Sequence, residues 1–171
     1  ARLMECPNAP NPASSPFALD QSEAYERWRE HKLKAHPTRL ETLIVEVGEP
    51  RRLTPGERTA ILERCRRANM AIYVSARGAE ADKEIIRALG EQLGLIRLDH
   101  NRGADEDAIT SLKVQSDAAH RGYIPYSSHP IAWHTDGYYN TLERQIRGLL
   151  LHCVCPAATG GENALLDHEI A

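Results

Sequence analysis

Helical periodicity stops near residue 110, and this break constrains the fold more than any other feature of the chain. Upstream, apolar residues recur at helical spacing: Ile61, Leu62 and Cys65 form one stripe, and Ile85, Ile86, Leu89 and Leu93 another. Downstream, short runs such as 111–115 and 147–155 are separated by turn residues, among them Arg121-Gly122, Pro125 and Gly160-Gly161. Such a chain is helical first and β-rich from about residue 110, which places it in the α+β class.

Local signals set the upstream elements. Ser22 stands where a helix cap is expected, and the helix should run to about Ala35, before Pro37 stops it. Residues 43–47 are rich in β-branched side chains and end at Gly48, which predicts a strand. In Thr54-Pro55-Gly56-Glu57 a capping threonine, a first-turn proline and a glutamate three residues on predict a helix to about Ala68. Residues 70–74 read as a strand, 79–93 as a helix closed by Gly94, and 95–98 as a further strand. Residues 1–19 carry four of the ten prolines and predict an extended arm. Residues 20–171 are expected to form part of one domain, because the helical stretch has no separate core of obvious size.

Charge and hydropathy narrow the function. With 21 basic and 24 acidic residues the net charge is -3, so there is no basic excess to match nucleic acid or an anionic membrane surface. The longest apolar run, 148–154, is broken by His152 and falls far short of the ~18–20 residues that cross a bilayer. Cys6, Cys65, Cys153 and Cys155 follow no metal-binding spacing. Cys153 and Cys155 would share one face of a strand and are expected as buried, reduced thiols in a cytoplasmic protein.

The densest cluster of chemically able side chains lies at 129–140. There His134 and Asp136 are two residues apart, and on an extended strand they point to one face. An imidazole nitrogen and a carboxylate oxygen so placed are two-thirds of the two-histidine, one-carboxylate triad that leaves open positions on iron(II). Alone the spacing is common, and a loop histidine beside an aspartate explains it equally well.

The surroundings add specificity. Trp133-His134-Thr135-Asp136-Gly137 is followed by an apolar run, then by Pro156-Ala157-Ala158-Thr159-Gly160-Gly161-Glu162-Asn163, then by Ala164, Leu165 and Leu166. This order resembles the taurine dioxygenase-like (TauD/TfdA) family of Fe(II)/2-oxoglutarate-dependent oxygenases, over roughly residues 123–170. The resemblance implies a double-stranded β-helix (a cupin-like jelly roll) with an N-terminal helical elaboration. It also implies His134 and Asp136 as iron ligands and Fe(II) and 2-oxoglutarate as cofactors. Asn163 falls where the family commonly has a threonine that bonds 2-oxoglutarate. The asparagine departs from that pattern, though its amide is also a donor. Retention of Asp136 favours hydroxylation over halogenation. The implied reaction is hydroxylation of a small organic substrate by O2, with decarboxylation of 2-oxoglutarate to succinate and CO2.

The resemblance also leaves parts unassigned. Only 35 residues follow Asp136, too few for the rest of an eight-stranded barrel. The third iron ligand and an arginine for 2-oxoglutarate are therefore expected beyond Ala171, with this chain the N-terminal part of the domain. His152, in an apolar run, and His168, at a junction, do not match the distal histidine. Tyr138, Tyr139 and Asn140 follow the ligand pair and are candidates for the substrate side. Arg121 and Arg144 are candidate cations for an acidic substrate. The sequence leaves room for a homo-oligomer. The rival reading is a catalytically silent oxygenase-like scaffold that binds a protein or ligand. A hydrolytic zinc site is disfavoured, because no general base is signalled beside the pair.

Overall fold

The computed structural model describes residues 15–99, 107–115 and 124–170. Three helices and two strands occur in the order α1 (Ser22–Ala35), β1 (Ile44–Glu46), α2 (Pro55–Ala68), β2 (Ile72–Val74) and α3 (Lys83–Gln92). Short 3-10 turns lie at Leu40–Leu43, Ile124–Tyr126 and Leu142–Arg144. The chain divides into two compact units. The first takes residues up to 48, 53–76 and 155 onward; the second takes 49–52 and 77–154.

In the first unit β1 and β2 pair in parallel, with Ile44 opposite Ile72 and Glu46 opposite Val74. Parallel neighbours need a crossover, and α2 supplies it, lying against β1. Leu43, Val45 and Val47 alternate inward and are buried, as are Ile61 and Ala68 of α2. Each large aliphatic side chain among them contributes about 1.5–3 kcal/mol by leaving water. The α2 start is the capping box expected from the sequence. Thr54 Oγ1 accepts from Glu57 N at 3.2 Å, and Glu57 Oε2 accepts from Thr54 N at 2.6 Å. The second Glu57 oxygen accepts from Gly48 N at 2.8 Å, which ties the end of the β1 segment to the helix start. These bonds, the one from Gly48 foremost, hold the Glu57 carboxyl below its ordinary range.

Other boundaries differ from expectation for local reasons. The α1 cap is Gln21, with Ser22 already inside the helix. The first strand is shortened because 40–43 tightens into a 3-10 turn. The third helix starts at Lys83, not near residue 79, because Asp82 caps it by accepting from Glu84 N at 2.9 Å. Gly94 then turns the chain with φ +90°, a conformation that glycine adopts without strain.

In the second unit Ile85 and Leu89 of α3 are fully buried, and Tyr126, at the end of the 124–126 turn, is buried too. Arg51 ties segment 49–52 to 77–82: its guanidinium donates to Asp82 at 2.6 Å, Glu80 at 3.0 Å and Glu49 at 3.3 Å. The same bonds keep the carboxyls of Glu80 and Asp82 below their ordinary range.

The α+β class holds, but the β-rich stretch does not form strands among the described residues. Segments 95–98, 111–115 and 147–155 have no ladder partner and run as irregular chain. The only sheet described is the two-stranded parallel pair, open at both edges, and no double-stranded β-helix is completed. Cys153 and Cys155, expected in a core strand, are therefore exposed; Cys65 is half-buried, and burial raises its thiol pKa. Residues 1–14 of the expected arm lie outside the described residues. The following segment turns back, and Phe17 sets its ring edge-on to Trp28 with centroids 4.7 Å apart.

Candidate functional site

His134 and Asp136 both lie in the second unit, on irregular backbone, with side chains about half exposed. Nε2 of His134 stands 3.6 Å from Oδ1 of Asp136. The other ring nitrogen, Nδ1, is 2.8 Å from the carbonyl oxygen of Ala132. A carbonyl can only accept, so this contact selects the tautomer with the proton on Nδ1. In the neutral ring Nε2 then carries the lone pair, on the side that faces Asp136. Two such donors favour a cation. A divalent ion bonds nitrogen and oxygen donors at about 2.0–2.2 Å, so one ion can touch both atoms across this gap. The donor pair is of a kind that divalent first-row metals, iron(II) among them, accept.

The turn after Asp136 positions this pair. Gly137 has φ +66°, and a side chain there would run into Ile146 and the Asn140 amide. Asn140 N donates to Gly137 O at 2.8 Å and closes the turn. The Asn140 side-chain amide donates to Arg144 O at 3.0 Å and to Asp99 Oδ2 at 3.3 Å. Arg144, a candidate for substrate charge, gives its guanidinium to Asp99 Oδ1 at 2.6 Å. Arg121 lies outside the described residues. Tyr138 and Tyr139 are exposed, with rings edge-to-face at 5.3 Å between centroids. Trp133 is also exposed.

Asn163 belongs to the first unit. It is exposed, and its amide donates to Gly161 O at 3.3 Å. Gly160 and Gly161 have φ +73° and +81°, so the glycine pair forms the left-handed turn read from the sequence. His152 Nε2 lies 3.3 Å from Glu80 O, and His168 is exposed beside Phe17, Tyr25 and Glu169. Among the described residues no group of three or more His, Cys, Asp or Glu side chains is arranged to hold a metal.

Two features carried little sequence signal. Asp99 is an isolated acid in a polar stretch, and only the folded chain brings it to Asn140 and Arg144. Asp167 follows two leucines that are exposed, yet it is itself buried against Lys32 of α1, both in the first unit. Burial opposes its charge, but bonds from the Lys32 ammonium, the Asn69 amide and Glu169 N prevail and hold its carboxyl below the ordinary range.

A half-exposed histidine and carboxylate thus face each other two residues apart, on a chain of this sequence pattern. Residues 23–170 match the family Taurine catabolism dioxygenase TauD, TfdA, and the chain belongs to that family. Its members are in general Fe(II)/2-oxoglutarate dioxygenases, and the family implies a cupin-like fold. No curated protein and no solved structure matches the chain. Among the described residues no helix is long and apolar enough to cross a membrane.

Proposed function

We propose that this chain contributes to the active site of an Fe(II)- and 2-oxoglutarate-dependent dioxygenase that hydroxylates a small organic substrate. In that reaction 2-oxoglutarate is decarboxylated to succinate and CO2, and O2 is the co-substrate. The observation that carries the reading is the proximity of His134 Nε2 and Asp136 Oδ1, 3.6 Å apart, in a chain of this family. When bound, iron with 2-oxoglutarate would supply the oxygen activation that protein side chains lack.

The residues of the chain do the rest. Ala132 O fixes the His134 tautomer, so that Nε2 is the coordinating nitrogen. Asp136 brings the negative charge that offsets part of the metal's. Asn163 is proposed to bond 2-oxoglutarate through its amide, in place of the family's usual hydroxyl donor. Tyr138, Tyr139 and Asn140 are proposed on the substrate side, where exposed aromatic rings can cover an organic molecule. The third metal ligand and the arginine for 2-oxoglutarate are proposed beyond Ala171, together with the strands that would close a jelly roll. A cytoplasmic setting fits the unpaired thiols of Cys65, Cys153 and Cys155.

A second reading, a silent scaffold that binds a partner, is favoured by one observation. No third donor joins the pair among the described residues. Succinate formation from 2-oxoglutarate, dependent on added Fe(II), separates the two. The oxygenase reading expects that turnover and its loss in His134→Ala. Protein that binds a partner equally well with or without His134, and forms no succinate, supports the scaffold.

A further inference from the structure

Asp136 sits on backbone that no strand ladder holds, yet a metal ligand must keep its geometry to bind tightly. Something else must order it, and the second unit contains one candidate. The segment 95–99 runs beside 140–148. Leu95 occupies the space that a side chain at Gly148 would fill, and the Arg97 guanidinium donates to Glu143 O at 3.2 Å. At the end of this contact the Asp99 carboxylate divides its two oxygens. One takes the Arg144 guanidinium at 2.6 Å, the other the Asn140 amide at 3.3 Å. The second hydrogen of that amide goes to Arg144 O at 3.0 Å, so both amide hydrogens are committed.

We propose that Asp99 is a positioning residue for the metal site, acting through Asn140. It pins both ends of the 140–144 turn. Asn140 in turn closes the 137–140 turn through its N–H to Gly137 O, and Asp136 immediately precedes that turn. The carboxylate replaces the missing ladder: it removes backbone freedom that metal binding would otherwise have to remove. The Asn140 side chain is thereby a link in the ligand's support, with only its carbonyl oxygen left to face a substrate. This inference rests on the iron-site reading above.

The test is anaerobic titration of the purified protein with Co(II), followed by its ligand-field absorption, and then with Fe(II). Asp99→Ala and Asn140→Ala should each weaken Co(II) binding about 10- to 100-fold, the usual effect of losing a group that orients a ligand. Each should also alter the Co(II) spectrum. The double variant should bind no worse than the weaker single, because the two residues act in one chain of contacts. Arg144→Lys keeps a cation beside Asp99 and should restore near wild-type binding. Folded Asp99→Ala and Asn140→Ala proteins with wild-type affinity and spectrum would overturn the proposal while leaving the iron site standing. Wild-type protein that takes up neither metal overturns the iron site and this proposal together. If Asp99→Ala does not fold, Asn140→Ala, which trims a half-buried amide, decides alone.

Discussion

The ammonium of Lys32 on α1 lies 3.0 Å from both carboxylate oxygens of Asp167, and both side chains are almost entirely buried. Glu169 also accepts from this ammonium, and Tyr25 and Arg29 donate to the carbonyls of Glu169 and Ile170. The 167–170 segment is thus held on α1 by charge and hydrogen bonds more than by apolar burial. Leu165 and Leu166 just before it are exposed.

Removing one partner of this pair should be costly, because the other charge stays buried. Lys32→Ala is expected to lower stability by about 3–5 kcal/mol, as for other broken buried pairs. Replacing both residues by apolar ones of similar volume should recover much of that loss. Denaturant midpoints of the two single variants and the double variant check the prediction. Equal losses in single and double variants would refute it.

The same pair makes stability depend on acid. The folded Asp167 carboxyl titrates below its unfolded value of about 3.9. Its contribution is therefore complete above that unfolded value and is lost as pH falls through the folded one. Urea midpoints measured from pH 6 down to pH 2 should fall at the acid end. Asp167→Asn should flatten that acid limb. A variant with the wild-type slope would mean that other carboxylates, such as Glu57, Glu80 and Asp82, account for the acid sensitivity.

Thr54→Ala should cost about 0.5–2 kcal/mol, the usual loss for an N-cap. It removes the acceptor for Glu57 N and leaves the Glu57 carboxylate still bonded to Gly48 and Thr54 N. Thermal denaturation reads the shift. No change in midpoint would show that the box is dispensable to α2.

Gly137→Ala should destabilise the second unit by about 1–2 kcal/mol from the left-handed backbone alone. It should cost more because the new methyl would meet Ile146 and the Asn140 amide. Metal binding should weaken with it, since Asp136 is the residue immediately before Gly137. Wild-type metal affinity in a destabilised protein would separate the turn from the site.

Under the oxygenase reading, His134→Ala and Asp136→Ala should each abolish Fe(II)-dependent succinate formation while leaving the unfolding free energy within about 0.5 kcal/mol of wild type. Both side chains are half exposed, and substitutions at such positions cost little stability. Large destabilisation in either variant would point to a structural role instead.

What was legible from sequence was local. The Thr54–Glu57 box, the stop before Pro37, the Gly94 and Gly160-Gly161 turns and the strand near 43–47 depend on a few neighbouring residues. So does the spacing of His134 and Asp136, and with the Gly160-Gly161 turn it was enough to suggest the family. The β-rich stretch was misread because an apolar run becomes a strand only when another strand completes its hydrogen bonds. Runs 111–115 and 147–155 find no such partner among the described residues.

Tertiary structure decided the rest. Asp82, not an earlier residue, begins α3, where its cap bond and the Arg51 cluster coincide. Cys153 and Cys155 face solvent, since among the described residues their run pairs with no strand that would bury them. Lys32 meets Asp167 across 135 residues, and Asp99 meets Arg144 across 45. Charges so far apart in the chain carry no mutual signal in the sequence. Their pairing follows only when the backbone between them has folded and brought them within a few ångströms.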